Sequence, residues 1–449
     1  MTIIKILFGL FGLSIVVVVH EAGHLIAARL SGIKVEAFSI GWGKVLFSRV
    51  WKGTEYRLSL FPLGGYCKMQ GEQAMIQAWE SKAKTIETSE GDMYGALWWK
   101  RIFVSISGPL MNLLFASLIF FFISIIGYNI YYYPSRIVLA SEYTDRSDYP
   151  ADRSGLMSGD RIIRIDGSQI DRFDELQNAI LMHPDEEMQF TIERNGQTQQ
   201  LVVKPELNKE TGAGSLGIFP WIEPSIKTLE PDSDFMSLGL LQGDRITAMN
   251  GKKVHHALDI NRILSSEELQ SISFIRDGFE KFLSVDEADS SIENPGIQFE
   301  YLTMRTNPGQ VVRSIINSFQ ETWSTVYNSL KGLTMLFKGI DLQSAVSGPL
   351  RITYMTGDLA FSGFSQGIGE GLLSFFRFIA LINVALFIMN LLPIPVLDGG
   401  QILFFMIEGL TQKKPNPTVL YRYQMIGTVM VFALIIFATM NDILFFSRN

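Results

Sequence analysis

Four long stretches of this chain carry almost no charge, and that limits what it can fold into. Between Lys5 and Arg29 the only ionisable side chains are His20, Glu21 and His24. Residues 102–135, 378–397 and 423–441 contain no charged residue. About 20 helical residues cross a hydrocarbon layer of roughly 30 Å. The sequence therefore predicts a polytopic membrane protein with four transmembrane α-helices, at 3–30, 102–128, 376–396 and 423–444. No small-residue cleavage site follows the first apolar run, so it reads as a helix and not as a signal peptide.

Charge between the spans gives an orientation. Ser31–Arg101 carries 10 Lys and Arg against 7 Asp and Glu, and Lys413 and Lys414 lie between the last two spans. Basic loops stay cytoplasmic, so both termini and the acidic block after the second span are expected outside. That block, Asn129–Gln310, holds 17 basic and 30 acidic residues. A net charge of −7 argues against general nucleic-acid binding, and the single cysteine, Cys67, excludes a disulfide or a cysteine zinc cage within the chain.

The acidic block matches itself. Gly155-Leu156-Met157-Ser158-Gly159-Asp160-Arg161-Ile162, followed by Asp166-Gly167, aligns with Gly239-Leu240-Leu241-Gln242-Gly243-Asp244-Arg245-Ile246, followed by Asn250-Gly251, at an offset of 84. Ile192–Gly196 aligns with Phe274–Gly278 at 82. A shared offset over so many positions indicates tandem domains of about 85 residues. The pattern G-L-x-x-G-D-x-I…[DN]-G resembles PDZ domains, which bind extended peptide at a sheet edge; a role as plain spacers is the alternative. His183, His255 and His256 fall in polar surroundings here and read as surface residues.

The chemistry lies in the first span. His20-Glu21-Ala22-Gly23-His24 is an H-E-x-x-H motif, with about 0.003 occurrences expected by chance from this composition. Residues i and i+4 share a helix face, so both imidazoles reach one metal. Glu21 is then close enough to take a proton from water activated there. Ionisable groups inside a membrane helix are costly and point to function. A third ligand is needed, and Asp398 is the acidic residue at a suitable depth. His20 lies about 17 residues into a span running inward, roughly 26 Å at 1.5 Å per residue, and Asp398 closes the third span at the same inner side. Asp442, at the outer end of the fourth span, fails this test.

H-E-x-x-H in the first span, Asn390-Leu391-Leu392-Pro393-Ile394-Pro395-Val396-Leu397-Asp398-Gly399 in the third, and PDZ-like domains between them resemble the site-2 protease family of intramembrane zinc metalloproteases, in its bacterial RseP-type branch. The resemblance implies one Zn2+ per chain on His20, His24 and Asp398, with Glu21 as catalytic base. It implies Asn390, Pro393 and Pro395 as substrate contacts, Pro393 and Pro395 interrupting the third helix. Gly108-Pro109 and Asn112 fit a further family pattern with no assigned role. The implied substrates are single-span proteins of the bacterial inner membrane already shortened by a first cut, such as an anti-sigma factor of the envelope stress response, and remnant signal peptides. The PDZ pair would exclude untrimmed substrates, and the enzyme would act as a monomer in the lipid bilayer. The competing function is a membrane scaffold or chaperone with an inert metal motif.

The remaining segments complete a division into 1–128, with the first two spans; 129–221 and 222–307, the two PDZ-like domains; 308–375, a helical linker region; and 376–449, the last two spans. Strands are expected at 35–40, 44–50 and 55–61, separated by Gly41-Trp42-Gly43 and Lys52-Gly53, with a turn at 62–66. They resemble the family's membrane-associated β element; an ordinary cytoplasmic sheet is the alternative. Residues 72–100 read as a polar loop, 308–345 as an amphipathic helix, and 357–371 as a flexible glycine-rich lead-in to the third span. Cys67 reads as chemically inert.

Overall fold

The computed structural model describes residues 2–209, 212–286, 290–292, 294–306, 308–335, 348–414 and 416–448. They divide into two compact units: Asn129–Thr306 forms one, and the segments before and after it form the other.

In the second of these, four helices are long and apolar enough to cross a membrane: α1 (Thr2–Leu30), α3 (Trp98–Ile126), α8 (Ile368–Asn390) and α10 (Pro417–Arg448). Between α1 and α3 lie strands β1 (Val35–Trp51) and β2 (Thr54–Met69) and helix α2 (Glu72–Glu80). After the other unit come α6 (Val311–Met335) and α7 (Pro349–Gln366), and between α8 and α10 lies α9 (Asp398–Thr411). Val16, Ala116, Phe120, Val326, Ile379 and Val384 pack into one apolar core drawn from α1, α3, α6 and α8.

Several boundaries correct the sequence reading. The third span begins at Ile368 and ends at Asn390, not at 376 and 396. Arg377 is carried within the helix because Glu321 of α6 pairs with it at 3.1 Å. The helix stops before Pro393, which has no N–H and disfavours helical backbone at Leu392. Residues 357–366 are not a flexible lead-in but part of α7. A Cβ at Gly357 would lie 1.9 Å from the Lys5 carbonyl oxygen, and one at Gly9 would lie 2.1 Å from that of Thr353. These glycines let α1 and α7 approach backbone to backbone, as small residues do in membranes. The region 72–100 contains α2. Of the helix expected at 308–345, α6 covers 311–335, and 336–347 fall outside the described residues.

The strands near the first span are longer than expected. β1 and β2 bend instead of ending at Gly41–Gly43 and near Gly65, so Ile40 has partners on both sides, Gly65 and Leu58, and Leu58 also pairs with Phe47. Gly41 and Gly43 supply the positive φ of these irregularities, at 87° and 88°. The true turn is Lys52-Gly53, with φ of 48° and 78°.

The unit Asn129–Thr306 contains two four-stranded antiparallel sheets with one strand order. In the first, β3 (Arg161–Ile165) lies between β4 (Ser168–Gln169) and β5 (Met188–Arg194), with β6 (Gln197–Val203) at the edge. In the second, β7 (Arg245–Met249) lies between β8 (Lys252–Lys253) and β9 (Ser271–Arg276), with β10 (Phe279–Ser284) at the edge. A helix follows the second strand in each case, α4 (Phe173–Leu181) and α5 (Ala257–Ser266). Ile162, Leu176, Phe190 and Ile192 fill the first core, and Ile246, Ile260, Ile272 and Phe274 hold the matching places in the second. His256 corrects the expectation of a surface histidine. It is 3% exposed, against the rings of Trp221 and Tyr143.

Candidate metal centre

α1 presents His20 and His24 one turn apart towards α3. Two glycines make room. A Cβ at Gly23 would meet the Ser107 carbonyl oxygen at 2.3 Å, and one at Gly108 would meet His24 Nε2 at 2.3 Å and His20 Cε1 at 2.9 Å. Gly23, inside the motif, therefore serves helix contact. Gly108, without an assigned role until now, clears the space the imidazoles occupy; a glycine-proline pair inside an apolar helix was the available signal.

Asp398 arrives from the other side. The chain leaves α8 at Asn390, turns through 391–397 and starts α9 at Asp398. A Cβ at Gly399 or Gly400 would collide with the carbonyl oxygens of Leu391 and Ile394, at 2.3 and 2.1 Å, so the two glycines let this loop fold back on the helix start. Val396, just ahead of Asp398, has φ of 80°, a conformation that costs a β-branched residue about 1–3 kcal/mol.

The three side chains converge. His20 Nε2 and His24 Nε2 are 3.1 Å apart, and Asp398 oxygens lie 3.2 Å from the first and 3.5 Å from the second. Their side chains are only 10–12% exposed. Two imidazole nitrogens whose lone pairs face each other at this distance repel unless a proton or a cation lies between them. Donors in a tetrahedral zinc site with bonds of about 2.1 Å are about 3.4 Å apart. The donor set, two imidazoles and a carboxylate, therefore fits zinc in both chemistry and spacing. His24 Nδ1–H donates to the Val104 carbonyl at 2.8 Å, which leaves Nε2 bare towards the centre.

Glu21 sits beside this cluster and accepts from the backbone N–H of Cys67 on β2. Glu21, His24 and Asp398 line a cavity of about 470 Å³ together with Tyr66, Cys67 and Gln401. Burial pushes the Cys67 thiol up to about 12, so it stays protonated near neutral pH. The other expected contacts lie on the loop. Asn390 is half-buried at the end of α8, Pro393 is exposed, and Pro395 is half-buried under α10, where a Cβ at Gly427 would meet its carbonyl oxygen at 1.9 Å. Neither proline interrupts a helix, because α8 has ended before them.

Spanning helices around a buried two-histidine, one-carboxylate set, with a glutamate alongside, define a class: a membrane-embedded zinc metalloprotease. The chain belongs to peptidase family M50, which matches residues 8–434. It is 35% identical, over 98% of this chain and 99% of the relative, to a protein of Treponema pallidum (strain Nichols) named "Putative zinc metalloprotease". It is 28% identical, over 97% of both chains, to the regulator of sigma-E protease RseP of Escherichia coli (strain K12). A third relative, from Borreliella burgdorferi, is 29% identical over 94% of both chains and also carries a zinc metalloprotease name. The protein is thus a zinc metalloprotease of the site-2 protease family, in a bacterial inner membrane, and Zn2+ is its cofactor.

Proposed function

We propose that His20, His24 and Asp398 hold one zinc ion and that the enzyme cuts single-span membrane proteins within the bilayer after an earlier cut outside it. The observation that carries this reading is the convergence of three donors at 3.1–3.5 Å, two from the spanning helix α1 and one from the start of α9, with Glu21 in the same cavity. Zinc, when bound, supplies the Lewis acidity that activates water and polarises a carbonyl. Glu21 takes the proton of the attacking water and returns it to the leaving amine, as base and then acid. Asn390 donates to the substrate carbonyl, and the non-helical backbone around Pro393 and Pro395 pairs with substrate unwound for attack. Irregular backbone at membrane depth is tolerated where protein surrounds it, and α10 covers Pro395.

The β1–β2 element lies in the membrane surface and offers substrate an added strand. Exposed Trp42, Leu46, Phe47, Val50, Trp51 and Phe61 support that placement. The segments 129–221 and 222–307 are PDZ domains on the periplasmic side, with both termini, and act as a size filter; the metal lies towards the cytoplasm. The division into 1–128, those two domains, 308–375 and 376–449 belongs to the same reading. An anti-sigma factor is the expected substrate class, in line with the name of the Escherichia coli relative, and remnant signal peptides are a second. The working unit is a monomer.

The test is cleavage of a single-span substrate by purified protein. Glu21→Gln is expected to keep zinc and fold while losing at least 10²–10⁴-fold in rate, and phenanthroline is expected to abolish cleavage by the parent. Unchanged cleavage by Glu21→Gln overturns the mechanism.

A further inference from the structure

His24 and His20 each need one ring nitrogen held so that the other faces the metal, and α3 supplies a partner to both. Val104, Gly108 and Asn112 lie at i, i+4 and i+8, one stripe along that helix. Val104 gives its carbonyl to His24 Nδ1 at 2.8 Å, Gly108 leaves space between the rings, and the Asn112 amide lies 3.3 Å from His20 Nδ1. Asn112 is fully buried, and its Oδ1 is without a hydrogen-bond partner when Nδ2 faces the imidazole. Burying an unpaired amide oxygen costs about 1–3 kcal/mol. Nδ2 is also the wrong group there. An N–H facing Nδ1 needs a lone pair on it, which moves the ring proton to Nε2, the atom 3.2 Å from Asp398 and 3.1 Å from His24. A protonated Nε2 binds no metal.

We propose that Asn112 is the positioning residue for His20: its amide, turned by half, accepts Nδ1–H through Oδ1. The turn exchanges atoms of equal size. It gives the buried oxygen a partner, places the proton on Nδ1 and bares Nε2. α3 thereby orients both histidines of α1, one by a backbone and one by a side-chain carbonyl. Outer partners of this kind are worth about 10–100-fold in metal affinity.

This rests on His20 being a zinc ligand, so the experiment separates the two. Full-length protein in detergent is titrated with zinc against a competing chelator. Asn112→Leu, similar in size but unable to accept, is expected to weaken zinc about 10–100-fold. Asn112→Asp, which only accepts, is expected to stay within about threefold of the parent. In the cobalt-loaded protein the visible absorption of Asn112→Leu shifts, and that of Asn112→Asp matches the parent. Zinc held by Asn112→Leu as tightly as by the parent overturns the proposal, and so does Asn112→Asp losing as much as Asn112→Leu, which is what a packing role gives. Should Asn112→Leu not fold, Asn112→Asp decides alone: retention supports the proposal and loss overturns it. His20→Ala is the control. If it keeps parental affinity, the ligand assignment itself fails; if it loses zinc while Asn112→Leu does not, only the role of Asn112 fails.

Discussion

Two kinds of buried polar cluster stand in this chain, and they are built on opposite principles. In the paired sheets, Asp160 and Asp244 are 1% and 0% exposed, and each is clamped by an arginine. Arg194 donates to both Asp160 oxygens at 2.7 Å and to the Gly155 carbonyl; Arg276 does the same to Asp244, at 2.7 and 2.6 Å, and to Gly239. Every charge there is answered inside the protein. At the candidate metal centre, three donors face one another at 3.1–3.5 Å and need a proton or a cation between them. Backbone strain follows the same split. The left-handed residues at the strand-to-strand turns of these sheets are Asp166, Asn195, Asn250 and Asp277, types that tolerate it, each before a glycine; beside Asp398 the residue is Val396. The clamps are satisfied by the protein alone and serve the fold, whereas the strained histidine–aspartate cluster is where the proposed ion belongs.

The largest expected effect breaks the comparison at its functional end. Asp398→Ala removes the third of the proposed ligands and leaves two imidazoles facing each other. We expect zinc content to fall below stoichiometric and cleavage to drop by at least about 10³-fold, with the fold kept, since several kcal/mol of transition-state stabilisation go with the metal. Metal analysis and circular dichroism on one sample check this.

Next in size is the structural end. Asp244→Ala strands Arg276 and is expected to cost about 3–5 kcal/mol. Hydrogen exchange should rise across Arg245–Ser284 while zinc affinity stays parental. Loss of zinc here would show that the two clusters are not separable.

Val396→Gly sharpens the point about strain. Glycine takes φ of 80° freely, so about 1–3 kcal/mol of strain is relieved, offset in part by the entropy glycine loses on folding. A higher melting temperature with slower cleavage is expected. A faster enzyme would mean that the valine serves nothing at the site.

How much of this was legible in the sequence follows from where charges find partners. His20, Glu21, His24 and Asp398 stood out because nothing else ionisable lies in or beside their spans at that depth. Other charges hid structure by pairing across it. Arg101, 2% exposed, bonds Glu408 of α9, so α9 packs on α3 although its sequence reads as a loop between spans. Arg377 did the same for the start of α8. Glycines misled in the opposite direction. Gly41, Gly43, Gly357 and Gly363 suggested breaks, but they sit in continuous elements where they allow bends or close approach. The internal match at offsets of 82 and 84 was visible, and Asp160, Arg194, Asp244 and Arg276 give its physical reason. His256 was not legible, because its burial comes from Tyr143 and Trp221, far away in sequence.

That histidine gives the smallest expected effect. Burial holds its pKa below the ordinary value of 6.5, although Asp259 and Glu142 pull the other way; His255 and Arg262 add to the lowering. Nε2–H donates to the Tyr143 hydroxyl at 3.0 Å, that hydroxyl donates to Asp259 at 2.7 Å, and Nδ1 is buried without a partner. A proton added at Nδ1 would be a buried cation facing no acceptor. The unfolded chain takes that proton near pH 6.5 and the folded one only lower. The contribution is therefore complete above pH 6.5 and is lost as pH falls towards the folded value, at up to about 1.4 kcal/mol per pH unit. Hydrogen exchange across α5 in the full chain should speed up between pH 7.5 and 5.5, and His256→Gln should flatten that dependence. The Asp160 and Asp244 clamps each join an aspartate to an arginine and contain no histidine, the side chain whose ordinary charge change falls in this window. Exchange in β3 and β9 should therefore stay constant, and a parallel rise there would place the titrating group somewhere other than His256.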